Sequence, residues 1–189
     1  MSQPIVLASG SPRRKQLLEW AEVSFEVLVR ETAESFPPGM DVAEVPVHIA
    51  RNKALAVSGL VDAGRVILAA DTVVVLGEEI IGKPRDREDA VKILSKLSGQ
   101  RHEVITGVVM IRGEEEVAFY DRTSVWFHEM GREELERYVD RYRPYDKAGA
   151  YAIQEWIGVV GIKGIEGDFY NVMGLPVSRV VRALRGMGV

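Results

Sequence analysis

Leu68 to Pro84, Leu-Ala-Ala-Asp-Thr-Val-Val-Val-Leu-Gly-Glu-Glu-Ile-Ile-Gly-Lys-Pro, limits what this chain can fold into more than any other stretch. It opens apolar, continues in β-branched residues and is interrupted once, by Asp71-Thr72. A run of this kind reads as a buried strand. A carboxylate inside it is costly unless it is hydrogen-bonded, paired or bound to a metal. Gly77-Glu78 serves as a two-residue hairpin turn of the Gly-X kind, which returns Gly82-Lys83-Pro84 alongside the Asp71 strand. An acid and a cation delivered to one sheet edge suit a phosphate and metal site. The same residues also read as an Asp capping a turn and a solvated Lys, and spacing alone does not separate the two.

A second candidate lies near the N-terminus. Ile5-Val6-Leu7-Ala8 is a short apolar run and predicts a strand; Ser9-Gly10-Ser11 follows, then Pro12-Arg13-Arg14-Lys15. Ser11 is a natural N-cap and Pro12 then falls at the first helical position, where its missing N–H costs nothing. Leu17, Leu18 and Ala21 give the helix an inward stripe. Three cations in a first turn oppose the helix dipole. Their presence there suits anion binding, since a helix N-terminus already favours phosphate. The G-x-x-x-x-G-K-[ST] spacing of a Walker loop is absent.

Elsewhere strands and helices interleave. Val23 to Val29 predicts a strand, and Arg30 to Asp41, with Pro37-Pro38-Gly39 and Glu34, an exposed loop. Val45 to Ser58 predicts a helix ended by Gly59. Val47, Ala50, Ala54 and Val57 form its inward face; Arg51 and Lys53 interrupt it, and solvent is the commoner fate of a helix lysine. Asp86 caps the clearest helix, with Asp89 at its third position and Ala90, Ile93, Leu94 and Leu97 along one face. Val104 to Ile111 and Val117 to Phe127 form a hairpin about Arg112-Gly113-Glu114. Gly131 to Tyr142 predicts a helix, Trp156 to Ile162 a strand, Lys163 to Leu175 a Gly-rich loop and Pro176 to Arg185 a last helix. The pattern predicts an α/β fold, a mixed twisted sheet with flanking helices, in two lobes around a cleft. The 189 residues suit one domain, 1–189.

Composition bounds the function. The net charge of −4 argues against a broad footprint for nucleic acid. With no cysteine, zinc-thiolate sites, disulfides and thiol catalysis are excluded. No apolar run reaches the length of a membrane span, and no basic region followed by an apolar one marks a signal peptide; a cytoplasmic protein is expected. His48, His102 and His128 show no metal-ligand spacing.

Four segments together resemble the Maf family of nucleotide pyrophosphatases: Leu7-Ala8-Ser9-Gly10-Ser11-Pro12-Arg13-Arg14, Ala70-Asp71-Thr72-Val73-Val74, Gly82-Lys83-Pro84 and Gly149-Ala150-Tyr151-Ala152-Ile153-Gln154. Thr106-Gly107-Val108 and Asn171-Val172-Met173-Gly174-Leu175-Pro176 support them. The resemblance implies a fold shared with inosine triphosphate pyrophosphatases. It also implies hydrolysis of a nucleoside triphosphate to the monophosphate and pyrophosphate, with a divalent cation, Mg²⁺ or Mn²⁺. Gln154 is similar to the group acting on dTTP and UTP; Glu155, where family members commonly carry Gly, departs from the pattern. A homodimer is implied as well, in a role of nucleotide house-cleaning.

Cleavage between the α- and β-phosphates needs charge neutralisation and an activated water. Arg13, Arg14 or Lys15, with Lys83, suit the first; Asp71, alone or with a metal, suits the second. The resemblance makes Asp71 the proton acceptor. Ser9, Ser11, Arg13, Arg14, Lys53 and Lys83 are the candidate substrate contacts, and Arg13, Thr72 and Gln154 the base-selecting residues; Asp71 either takes the proton itself or mainly holds the metal, and Glu34 is a candidate carboxylate on the metal or just behind its ligands. A nucleotide-binding regulator of cell division with little turnover is the alternative; an intact Asp71 and Lys83 favour the enzyme.

Overall fold

A computed structural model describes residues 3–189. Ile5–Leu7 is β1, buried throughout. Pro12–Trp20 is α1, with Ser11 at its N-cap, Pro12 at its first position, and Leu17 and Leu18 buried. Phe25–Val27, β2, pairs parallel to β1, which makes β1-α1-β2 one strand-helix-strand unit. Glu44–Ser58 is α2, and Ile67–Leu76, β3, then pairs parallel to the other side of β1. Glu79–Ile81, β4, folds back on β3, with Leu76 opposite Glu79 and Val74 opposite Ile81. The turn needs Gly77 at φ 63°, a left-handed conformation that glycine adopts without steric cost.

Beyond α3, Arg87–Leu97, come the long strands β5, Arg101–Arg112, and β6, Glu115–Phe127. The short strand β7, Ile162–Glu166, pairs antiparallel to β6. The sheet order is β2-β1-β3-β5-β6-β7, with β4 on β3. Parallel and antiparallel pairs share one sheet, the mixed α/β architecture that the interleaved sequence predicts.

The chain packs as two compact units. One runs to Asp71 and adds Thr106–Asp121 and Gly174–Val189; the other comprises Thr72–Ile105 and Arg122–Met173. The core of the first joins Val6 and Ala8 of β1, Val47, Ala50, Ala54 and Val57 of α2, Ile67 and Ala69 of β3, and Val109 and Ile111 of β5. Gly107 sets how closely α2 lies on β5: a Cβ there would fall 2.2 Å from the Val47 backbone nitrogen. In the same unit α7, Val177–Gly186, buries Val180 and Leu184.

The second unit packs α3 against α4, Arg132–Tyr142. Asp86 caps α3 by accepting the Asp89 N–H at 2.8 Å, and Ala90, Val91, Leu94 and Leu97 are buried. From α4, Leu135, Tyr138 and Val139 are buried.

The sequence pattern misassigns one region. Trp156–Gly161 forms a short helix, α5, rather than a strand, and the predicted loop after it contains β7 and the helix α6, Phe169–Met173. A six-residue apolar run does not distinguish strand from helix. The geometry is decided by Gly158, whose amide donates to Glu155 O at 2.9 Å. A Cβ at Gly158 would sit 1.7 Å from Ile153 O. Val159 is 81% exposed, which a buried strand would not permit. Among the described residues, no helix is long and apolar enough to cross a membrane.

Candidate functional site

Seven of the predicted site residues gather in the first unit. Lys53 is the hub: its Nζ donates to Asp71 Oδ1 at 2.7 Å and to Glu34 Oε1 at 3.0 Å. α2 aims it there. Ala50, Ala54 and Val57 of the same face are buried, so the Lys53 side chain is only 17% exposed, against 13% for Asp71 and 45% for Glu34. A half-buried carboxylate and ammonium are tolerable because each neutralises the other. Glu34 comes to the pair from the acidic loop, where periodicity and composition give it no role and only the family resemblance singles it out.

The loop between β1 and α1 is held from behind. Arg14 is 8% exposed. Its Nη1 donates to Ser9 Oγ at 3.0 Å and its Nε to Gly174 O at 2.8 Å. The Ser11 amide in turn donates to Ser9 Oγ at 3.3 Å. Burial lowers Arg14 below its ordinary value; Asp71 opposes that, Arg13 adds to it and Glu34 opposes it. Arginine keeps its charge in proteins, so a permanent cation sits under the first turn. Arg13 is half-buried in that turn. The arrangement offers loop and helix-terminus donors for an anion, with a paired carboxylate in the same unit.

Thr72, Lys83 and Gln154 fall in the second unit. Thr72 is half-buried in β3; Lys83 and Gln154 are exposed. The Gly149 amide donates to Gly82 O at 3.1 Å, which ties the residue before Lys83 to the start of the segment that ends in Gln154. That segment is tightly held. Gly149 has φ 71° and Ala150 φ 58°, and a Cβ on Gly149 would meet Val74 Cγ2 at 2.9 Å.

Around this segment Tyr138 and Lys147 escape sequence reasoning as site residues, while Glu155 stands out only as a departure from the family pattern. The Tyr138 hydroxyl donates to Glu155 Oε2 and accepts the Ala152 N–H. Lys147 Nζ lies 3.7 Å from Glu155 Oε1. Only the unusual residue beside Gln154 signals them. His102, also in this unit, is 1% exposed, contacts the Tyr151 hydroxyl at 2.7 Å through Nε2, and is held down near 4 by burial.

The donors suit a hard divalent cation. Asp71 and Glu34 already converge on one positive charge, and Mg²⁺ is commonly bound by one or two carboxylates with substrate phosphates and water completing its shell. Among the described residues, no three His, Cys, Asp or Glu lie together so as to hold a metal ion by themselves.

The family model described as Maf-like protein matches residues 4–187. A Cytophaga hutchinsonii protein named dTTP/UTP pyrophosphatase is 48% identical over 97% of this chain and 84% of its own length. Proteins of the same name from Porphyromonas gingivalis and Bacillus cereus are 46% and 44% identical, over 97% and 96% of this chain and 94% of each relative. Among solved structures, the Staphylococcus aureus Ham1 protein matches 67% of this chain and 73% of its own at a TM-score of 0.46 and 16% identity. At that likeness the fold rests on the strand order above.

Proposed function

The chain belongs to the Maf-like family, and from that premise we propose that it is a nucleoside triphosphate pyrophosphatase hydrolysing dTTP and UTP to the monophosphate and pyrophosphate. The shared name of relatives covering nearly the whole chain supports the substrate. The observation that carries the chemistry is the Lys53 bridge between Asp71 and Glu34, in the same unit as the Ser9–Ser11 loop.

In this reading Ser9, Ser11 and Arg13 bind phosphate oxygens at the α1 N-terminus, and Arg14 lends its charge from behind the loop. Lys53 and Lys83 offset further phosphate charge. One Asp71 oxygen is engaged by Lys53, which orients the carboxylate; the other accepts a proton from water. The resulting hydroxide adds at a phosphorus of the α–β anhydride, and the bond to the bridging oxygen breaks to give nucleoside monophosphate and pyrophosphate. Mg²⁺ or Mn²⁺ held by Asp71 and Glu34 would polarise the phosphoryl oxygens.

Base choice falls to Gln154, with Thr72 and Arg13. A side-chain amide has a donor and an acceptor. Uracil and thymine offer N3–H beside a carbonyl, so one amide pairs with both. Cytosine replaces that donor with an acceptor and leaves a buried group unpaired, at about 1–3 kcal/mol. The reading extends to a cytoplasmic homodimer acting on free nucleotides, as the family resemblance implies.

The test is pyrophosphate release from UTP, dTTP, CTP and GTP with Mg²⁺. UTP and dTTP should turn over fastest. Nucleotide binding without pyrophosphate release would favour the regulator of division instead.

A further inference from the structure

The segment that presents Gln154 is anchored on both sides, and one side chain does most of the anchoring. Glu155 follows Gln154 directly. Its carboxylate takes the Tyr138 hydroxyl proton on Oε2 and faces Lys147 Nζ at 3.7 Å on Oε1. The Glu155 backbone is engaged as well: its amide donates to Ala152 O at 3.1 Å, and its carbonyl accepts from Gly158 at 2.9 Å as α5 begins. On the other side of Gln154, the Ala152 amide donates to the same Tyr138 hydroxyl at 3.3 Å. One phenol on α4 therefore links a carboxylate after Gln154 to a backbone amide before it.

The parts lie largely out of solvent. Tyr138 is fully buried and Lys147 is 9% exposed. A nearly buried ammonium needs counter-charge. Lys147 has Asp146 Oδ1 at 2.8 Å, but Asp146 is 59% exposed, while the Glu155 side chain is 21% exposed. Further back, the Gly149 amide fastens the segment to Gly82 O. Gln154 itself remains exposed.

We propose that Glu155 is a positioning residue: held between the Tyr138 hydroxyl and Lys147, it fixes the backbone from which Gln154 reads the base. The proposal rests on the reading of Gln154 as the base-selecting residue. Its physical content is preorganisation. A side-chain amide discriminates one edge from another only if its donor and acceptor are held in register with that edge. Glu155 adds no contact to the nucleotide; it removes freedom from the residue that makes one.

The experiment compares kcat/KM for UTP and CTP in the parent and in Gln154→Ala, Tyr138→Phe, Glu155→Ala and Glu155→Gln, with melting temperatures alongside. Gln154→Ala should lose the preference for UTP. Tyr138→Phe and Glu155→Ala should each lower kcat/KM for UTP by roughly tenfold, the scale of one charged hydrogen bond. They should do so chiefly through KM, with a smaller loss for CTP, so that the UTP:CTP ratio shrinks. Glu155→Gln keeps an acceptor for the Tyr138 hydroxyl and should retain most of the ratio. Combining Tyr138→Phe with Glu155→Ala should cost little more than either alone, because both break one link. Should Glu155→Ala not fold, the Phe and Gln variants carry the comparison. Equal losses for UTP and CTP that track melting temperature would mean a structural role and overturn the proposal. An unchanged ratio in Gln154→Ala would remove the base-reading role and the clamp with it. A ratio lost in Gln154→Ala but kept in Tyr138→Phe and Glu155→Ala would overturn the clamp alone.

Discussion

Lys53 Nζ lies 2.7 Å from Asp71 Oδ1 and 3.0 Å from Glu34 Oε1. One ammonium thus holds together the two carboxylates assigned to water activation and metal binding. Replacing it with Lys53→Met keeps the bulk and removes the charge. The carboxylates then lose a charged hydrogen bond worth about 1.5–3 kcal/mol, and kcat/KM should fall roughly ten- to hundredfold. Parent-like kinetics would mean that the bridge is incidental.

Asp71→Asn retains an oxygen to accept from Lys53, so the fold and substrate binding should persist. What it loses is the basic oxygen. A general base contributes ~10²–10⁴-fold, and turnover should drop by that factor while the nucleotide Kd moves little. Near-parent turnover would remove Asp71 from the role of proton acceptor.

Arg13→Ala and Lys83→Ala should each weaken the reaction by about ten- to hundredfold, the worth of one charged hydrogen bond to phosphate. The loss should appear with every nucleoside triphosphate, since phosphate contacts carry no base information. If both variants match the parent across substrate concentrations, the phosphate contacts lie elsewhere.

Much of this was readable in the residues, and the exceptions have physical reasons. Asp71 stood out because a carboxylate breaks a β-rich run. Lys53 was legible in principle: Ala50, Lys53, Ala54 and Val57 stand at i, i+3, i+4 and i+7, so a lysine on the buried stripe must find an anion. Its partner Glu34 carries no periodic signal, because it sits in a loop; only the family resemblance singles it out. α5 was misread because Trp156 to Gly161 has strand-like composition, while the backbone approach of Gly158 to Ile153 decides the matter and has no pattern in sequence. The link between Tyr138 and Glu155 is hidden for a related reason: the two are 17 residues apart, and an aromatic on a helix face reads as core.

Gly107 provides a test of how the first unit is built. A methyl group there would meet the Val47 amide nitrogen at 2.2 Å and the Pro46 carbonyl carbon at 2.4 Å, both backbone atoms. Gly107→Ala must push α2 off β5, and overpacking of this kind costs about 1–3 kcal/mol or more. Because Lys53 rides on α2, activity should fall along with urea stability. Unchanged stability would contradict the close approach.

His102 predicts an acid-sensitive second unit. Burial holds its folded value to about 4, against an ordinary 6.5, so the folded state keeps it neutral beside Tyr151 and Phe127. Between those values the unfolded chain binds more protons. Stability is therefore complete above pH 6.5 and is lost progressively as pH falls toward 4, by about 2 kcal/mol at pH 5. Urea unfolding at pH 7 and pH 5 should show this slope, and His102→Gln should flatten it. An equal slope in the variant would assign the acid sensitivity to other groups.

The most direct measurement is ³¹P NMR of UTP incubated with the protein and Mg²⁺. Hydrolysis at the α–β anhydride predicts UMP and pyrophosphate appearing together in equal amounts, with neither UDP nor inorganic phosphate as a primary product. UDP with inorganic phosphate, or UTP left intact while bound, would contradict the account.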